Sequence, residues 1–316
     1  MAIFWPDADI VYKQYLQRSC CSVPGNCKTL FDRPVVILAA PRSGSTLLFE
    51  TLAEAPQIWT VGGESHHFIE GLKPLNPKYG QVDSNRLDGS HANEQIVQTL
   101  RRRFAQSLQD RDGRSYSPGQ SSERLRFLEK TPKNALRQPF LDKIFPGAFY
   151  IHLVRDPRPN ISSMMEAWKS GRWITYPRLP GWQGPPWSLL LPPGWQGMRK
   201  CSLAQICAFQ WHTANRVILD DLERLPPERW IACQYDDLTQ HTETLIQKIC
   251  DFTDLQMDER LAQRTAGDLP LSRFTQTVPD AEKWRKNEAG IMPVLDSLDE
   301  TWQRCGQVLK RFRLQE

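Results

Sequence analysis

VVILAAPRSGSTLLFETLAEA (residues 35–55) decides how the chain folds. Its first six residues are all apolar and rich in β-branched side chains, the pattern of a strand buried on both faces of a parallel sheet. Pro41 and the turn Arg42-Ser43-Gly44-Ser45 break that strand. Behind the turn, Leu47, Leu48, Leu52 and Ala55 recur at helical spacing. A strand, a tight turn and a helix in that order aim first-turn N–H groups and the positive end of the helix at one spot, and an anion suits them. Gly44 lets backbone approach phosphate oxygens, and Ser43, Ser45 and Thr46 offer hydroxyl and amide donors. Arg42 adds a planar cation. The nucleoside triphosphatase loop Gly-x-x-x-x-Gly-Lys-Ser/Thr is not matched, because its first glycine and its lysine are both missing.

The same alternation continues outward. IWTVGG (58–63) reads as a second short strand, which Gly62 and Gly63 close just before Glu64. Asn93 caps a predicted helix that carries Ile96, Val97, Leu100, Phe104 and Leu108, and residues 110–123 have loop composition. A helix end is predicted at Phe140 to Phe145. AFYIHLVR (148–155) is a strand with a cationic end, and DPRPNISSMMEAW (156–168) starts a helix with Pro159 in its first turn. WIACQYDDL (230–238) is a further strand, and TETLIQKICDFTDL (242–255) an amphipathic helix. Strands alternating with helices predict a P-loop-like α/β fold, with a mainly parallel central sheet between two helical layers. We read residues 1–316 as one domain whose core runs from about 34 to 291. Within it, residues 171–199 hold Trp173, Trp182, Trp187 and Trp195 among many prolines. A loop so long and so aromatic is expected to be an ordered, lid-like insertion over an apolar pocket, or else a packed irregular one.

Composition bounds the function. The 316 residues are 40% hydrophobic and 24% charged with a net charge of +4, which describes a globular chain with a mild cationic excess. That excess suits a phosphate pocket and falls short of a nucleic-acid binder; the triplet Arg101-Arg102-Arg103, without interleaved aromatics, reads as a solvated helix edge. The longest apolar run is Val35 to Ala40, far short of a membrane span, and the first ten residues carry Asp7 and Asp9 with no basic residue. A soluble cytoplasmic protein is the expectation. The eight cysteines show no Cys-x-x-Cys pair and no histidine at zinc spacing, so no metal is predicted.

Ligands of an open parallel sheet bind at the carboxyl ends of its strands. Arg155 at one strand end and Ser163 eight residues on, in the following helix, are placed to address a second phosphate near the 41–46 loop. A kinase would want a magnesium-holding carboxylate where Arg155 stands. Two other readings stay open on these residues alone: a P-loop-like small-molecule kinase, and a non-catalytic nucleotide or acyl-carrier binding module.

At this point the chain resembles the sulfotransferases that use 3′-phosphoadenosine 5′-phosphosulfate (PAPS). PRSGSTLL (41–48) is similar to that family's 5′-phosphosulfate loop, with Arg42 where lysine is more usual. VRDPRPNISSM (154–164) resembles its 3′-phosphate segment, in which an Arg and a Ser stand eight apart. LEKTPKN (128–134), QYDDL (234–238) and PDAEKWRKNEAGI (279–291) resemble, in order, three further segments, the first two of the tyrosylprotein-sulfotransferase branch. The resemblance runs from about Pro34 to Ile291. It implies PAPS as donor and 3′-phosphoadenosine 5′-phosphate (PAP) as product. It implies that Arg42 and Lys130 face the leaving phosphate and that Tyr235 contributes from its strand. Lys283, Arg285 and Lys286 would hold the 3′-phosphate side, with Trp284 against the adenine and Ser272 near the bridging phosphate. GGESHHFIEGL (62–72), SNRL (84–87) and the stretch 175–195 further resemble sulfotransferase domains of polyketide synthases and free-standing bacterial homologues of them. There the acceptor is a β-hydroxyacyl chain on an acyl carrier protein, and this implies either that acceptor or another small-molecule alcohol here.

Sulfuryl transfer needs a base for the acceptor hydroxyl and cations for the departing oxygen. Glu64, beside the loop at the end of the second strand, ranks first as base. His66 and His67 compete for that role or orient it, since an imidazole matches neutral pH.

Overall fold

The computed structural model of the protein describes residues 30–117, 124–275, 280 and 282–312. β1 (Val35–Leu38) has all four side chains buried, and α1 (Ser45–Leu52) follows the tight turn. β2 (Ile58–Trp59) is shorter than IWTVGG predicts, because Thr60 leaves the parallel ladder and bridges antiparallel to Gln109. Next come α2 (His66–Glu70), α3 (Glu94–Gln106), β3 (Arg126–Lys130), α4 (Gln138–Ile144), β4 (Phe149–Val154) and α5 (Pro157–Lys169). Asn93 caps α3 as predicted, its side chain accepting from the Ile96 amide at 2.9 Å. The second half holds the hairpin β5 (Ile174–Tyr176) and β6 (Trp187–Ser188), then α6 (Leu203–Leu222) and β7 (Trp230–Gln234). Helices α7 (Tyr235–Gln240), α8 (Thr242–Thr253), α9 (Glu259–Thr265), α10 (Glu288–Leu295) and α11 (Asp299–Arg311) complete the described chain. The predicted strand 230–238 therefore stops at Gln234, and its YDDL end coils into α7.

Five strands form one parallel sheet in the order β2-β3-β1-β4-β7. Alternation along β1 then assigns the layers. Val36 and Leu38 pack with α3, α4, α5 and α6, whereas Val35 and Ile37 pack with α1, α8 and α9 on the other face. The sheet is thus sandwiched between helical layers, as predicted. In register, Ile37 lies beside Lys130 and Leu38 beside His152, so β3 ends one residue before β1 and β4 two residues beyond it, and their loops open on one edge.

β3 is the strand that periodicity does not announce. Three of its five residues, Arg126, Glu129 and Lys130, are charged, yet all five are buried. Each finds partners away from its own strand: Arg126 donates to the carbonyls of Thr253 and Asp254, for example. Buried charge is tolerated because it is hydrogen-bonded.

Residues 171–199 are a built structure. Trp182, Trp187 and Trp195 form an edge-to-face cluster that extends to Trp168 on α5. Such ring pairs contribute roughly 0.5–1.5 kcal/mol each beyond their buried area. The indoles are also satisfied: Trp187 Nε1 donates to Leu190 O at 2.8 Å and Trp195 Nε1 to Asp83 O at 2.8 Å. Of the four tryptophans only Trp173 lines the large cavity described next. Among the described residues, no helix is long and apolar enough to cross a membrane.

Candidate active site

A cavity of about 1350 Å³ opens at the carboxyl edge of the sheet, lined by residues of the 41–47 loop, the 61–67 segment, α5, the 172–175 segment and residues 268–275. The loop after β1 owes its shape to contacts from other strands. Gly44 sits at φ +90°, a conformation that favours glycine, and a Cβ there would fall 2.4 Å from two ring carbons of Tyr235. Asn160 on α5 clamps the other side: its Nδ2 donates to Pro41 O at 2.8 Å and its Oδ1 accepts from Ser43 Oγ at 2.7 Å. The Ser43 hydroxyl therefore serves the loop's shape. Ser45 begins α1, whose first turn has no side-chain cap; Leu47 N donates to Gly44 O at 2.9 Å, which leaves the Ser45 and Thr46 N–H groups for a ligand.

Two guanidinium groups converge on this loop. Arg155, just past β4, donates through Nη1 to the carbonyl of Arg42 at 3.0 Å and lies 4.3 Å from the Tyr235 ring centroid. Its Nε is buried without a partner. Arg42 donates through Nε to Ser163 Oγ at 3.4 Å and through Nη2 to Phe274 O at 3.2 Å, with its guanidinium 5.2 Å from the Trp173 ring. Burial, and then the nearness of Arg155, push the Arg42 pKa below its usual value. Among the described residues neither arginine is in an ion pair with a carboxylate. Two neighbouring, half-buried cations, with Glu64 acting on Arg42 and Asp156 and Asp236 on Arg155 only from beyond ion-pair distance, favour an anion between them.

Beside them stands an acid with its own cation. Lys130, at the end of β3 and only 2% exposed, donates from Nζ to Glu64 Oε1 at 2.9 Å and to Thr46 Oγ1 at 3.1 Å. It thus joins the candidate base to the candidate anion loop. His66 Nδ1 lies 3.8 Å from Glu64 Oε2, too far for a hydrogen bond. Burial, and then the Lys133 ammonium, lower the His66 pKa to about 4. His67 is hydrogen-bonded to the Glu64 backbone, and burial lowers its pKa as well. Among the described hydrogen bonds, Lys130 contacts Glu64 and the 41–46 loop, and neither imidazole. Glu64 keeps first rank.

The other predicted residues divide. Ser272 lines the cavity and shares a hydrogen bond of 2.9 Å with Thr275. Lys283, Trp284 and Lys286 line it too, Lys286 donating to Glu166 Oε2 at 2.7 Å. Trp284 is only 8% exposed, with Arg158 and Arg285 guanidinium carbons 5.5 and 5.3 Å from its ring. Arg285 lies outside the cavity wall, held by Glu282 and Glu288. Pro279 and Ala281 of the predicted basic loop lie outside the described residues.

Sequence reasoning does not find Asn160, Phe274 or Lys133. Phe274 meets Trp173 edge-on at 5.1 Å; Trp173 lies against the Arg42 guanidinium, while Phe274 gives Arg42 its carbonyl and sets its ring 5.7 Å from Lys130 Nζ. Lys133 lines the cavity near His66 while its Nζ donates to both carboxylate oxygens of Glu70 at 2.8 and 2.7 Å. Asn160 and Lys133 lie inside the quoted segments 154–164 and 128–134, but their partners, at 41–43 and 70, are far away in sequence. A nucleotide with two separate phosphate groups fits the donors present. The uncapped first turn of α1 and the Arg42 and Arg155 guanidiniums at the cavity wall suit anionic oxygen.

A family model described as "Sulfotransferase family" matches residues 34–259. Protein-tyrosine sulfotransferase A of Caenorhabditis elegans is 21% identical over 248 residues, covering 77% of this chain and 56% of its own length. An uncharacterized protein of Aquifex aeolicus is 24% identical over 283 residues, 86% of this chain and 33% of its own length. The chain thus spans about half the length of one curated relative and a third of the other. Among solved structures, the sulfotransferase domain of the Synechococcus PCC 7002 olefin synthase is 24% identical, with coverage of 84% of this chain and 90% of that one and a TM-score of 0.45. Sulfotransferase STF9 from Mycobacterium avium is 15% identical, with coverage of 97% and 81% and a TM-score of 0.49. The family match runs from the residue before β1 to the first residue of α9, taking in every strand of the central sheet, and on that extent the chain belongs to the sulfotransferase family.

Proposed function

We propose that the protein moves a sulfonate group from PAPS to the hydroxyl of an organic acceptor, with Glu64 as general base. The observation that carries this reading is the meeting of two guanidiniums, Arg42 and Arg155, at the 41–47 loop with an acid, Glu64, held by Lys130, which itself donates to Thr46 of that loop. When bound, PAPS supplies the sulfonate and leaves as PAP.

Each residue then has a task. The first-turn amides of α1, Thr46 and Arg42 hold the phosphosulfate end, and Arg155 with Ser163 holds the 3′-phosphate. Lys283, Lys286 and Trp284 close the nucleotide side, Tyr235 keeps Arg155 in place, and Ser272 lies near the bridging phosphate. Glu64 takes the proton of the acceptor hydroxyl as the new O–S bond forms and the bridging O–S bond breaks. Once protonated, Glu64 no longer neutralises Lys130, whose charge turns to the phosphate oxygen that has become anionic. Positioned bases contribute about 10²- to 10⁴-fold, and pre-set cations at the leaving group a comparable factor.

The insertion supports the acyl-carrier reading of the acceptor. From Ala167 to Leu219 the chain has no Asp or Glu, and Arg172, Arg178, Arg199 and Lys200 are exposed there. Arg172 also lines the cavity, beside Trp173, Ile174 and Thr175. An exposed, acid-free cationic stretch that reaches the cavity at Arg172 favours an acceptor presented on an anionic carrier; residues 171–199 would then act as its lid.

The test is mass spectrometry with PAPS against β-hydroxyacyl carrier proteins, fatty alcohols and phenols, reading the gain of one SO₃. Calorimetry should show PAP binding far tighter than AMP, and Glu64→Gln should abolish most turnover while PAP affinity stays unchanged. Equal affinity for PAP and AMP would remove the roles of Arg155 and Ser163, and full activity in Glu64→Gln would remove the base.

A further inference from the structure

Glu129 is the most deeply buried acid near the cavity, yet it does not line it. Its Oε1 accepts three hydrogen bonds: from Ser65 Oγ at 2.6 Å, Thr131 Oγ1 at 2.7 Å and Asn134 Nδ2 at 3.0 Å. Ser65, Glu129, Thr131 and Asn134 are all 0–1% exposed. Because the Thr131 hydroxyl gives its single proton to Glu129, its lone pair is left to accept the Ser65 backbone N–H, at 2.8 Å. The segment after β2 is thereby stapled to the end of β3. Each side of the staple carries one member of the catalytic pair: Glu64 precedes Ser65, and Lys130 stands between Glu129 and Thr131.

We infer that Glu129 is a positioning residue, which orients the Ser65 and Thr131 hydroxyls and so sets the 2.9 Å contact between Glu64 and Lys130. This rests on the proposed role of Glu64 as base. The three donors all meet Oε1, an sp² oxygen that a carboxyl or an amide supplies, while Oε2 is buried without a partner among the described residues. Burial raises its pKa to about 7, with Glu64 adding to the rise and the Ser65, Thr131 and Lys130 contacts opposing it. The neutral form is thus accessible, and an amide keeps the same accepting oxygen.

The experiment compares Glu129→Ala, Glu129→Gln and Thr131→Val with the wild type, reading kcat, PAP affinity and hydrogen exchange of the Ser65 amide. Glu129→Ala and Thr131→Val should lower kcat by an order of 10²-fold, the usual consequence of an ångström-scale misplacement, with PAP affinity unchanged. Both should also speed exchange at Ser65, and Glu129→Gln should restore kcat and protection. Wild-type kcat and exchange in both disrupting variants would overturn the inference, as would a kcat loss matched by an equal loss of PAP affinity. If Glu129→Ala does not fold, Thr131→Val decides by the same readings. Should the wild type transfer no sulfonate at all, the proposed function fails, while Ser65 exchange still reports the staple.

Discussion

Gly44→Ala probes the point where three segments meet. At φ +90° an alanine pays roughly 1–2 kcal/mol for the left-handed backbone. Its Cβ would also come 2.4 Å from two Tyr235 ring carbons, an overlap that costs typically about 1–3 kcal/mol to relieve. The backbone cannot supply the relief, because Asn160 holds Pro41 and Ser43 while Arg155 holds the Arg42 carbonyl. The ring must move, and with it the surface on which the Arg155 guanidinium rests at 4.3 Å. We expect a stability loss of about 2–5 kcal/mol, read by urea unfolding, out of the 5–15 kcal/mol typical of a domain. PAP affinity should fall by at least about tenfold in calorimetry, the effect of 1.4 kcal/mol at Arg155. Tyr235→Ala alone should also weaken PAP binding, by removing the stack. In the double variant the clash term vanishes and only the backbone term remains, so the two changes should couple by about 1–3 kcal/mol in stability. Strict additivity, or wild-type PAP affinity in Gly44→Ala, would refute the wedge.

Two further outcomes are expected. Folded Glu129 keeps its proton up to about pH 7, whereas the unfolded chain releases it near 4.5, so folding is favoured below 4.5 and this contribution is lost as pH rises through 7. Glu129→Gln should therefore gain stability relative to wild type between pH 5 and pH 8, by up to about 3 kcal/mol in denaturant unfolding, and a pH-independent difference would sink this reading. Reversing charge at Arg178 and Arg199 to Glu should raise KM for an acidic carrier-bound acceptor and erase its salt dependence, while KM for an uncharged alcohol stays put. Equal effects on both acceptors would leave the insertion no part in recruitment.

How much could be read beforehand depended on the distance over which each feature is caused. β1, β4 and β7 are legible because strands covered on both faces read as near-continuous apolar runs, and the turn chemistry of Pro41 to Ser45 follows from neighbouring residues. β3 is illegible for the converse reason. Its charges are compensated by Thr253, Ser65 and Glu64, none of them nearby in sequence. α6 shows no clean stripe because it is buried on most of its circumference, which removes the polar face that would mark it. In the site, the Arg42 loop and the Arg155–Ser163 spacing stand out as local signals, while the Asn160 clamp and the Phe274–Trp173 contact do not. The basic run at 283–286 shows the limit most plainly: one pattern of charges, yet Lys286 lines the cavity and Arg285 is held outside it by two acids.

By itself the amino-acid order determined a parallel α/β sheet, an anion-seeking turn after its first strand and a second cation at the end of another, since periodicity and turn preference act within a few residues. Only the tertiary structure decided which acid meets which cation. Glu64 and Lys130 sit on different segments, and their contact exists because β2 pairs with β3 and a buried carboxyl ties the segment after β2 to the end of β3.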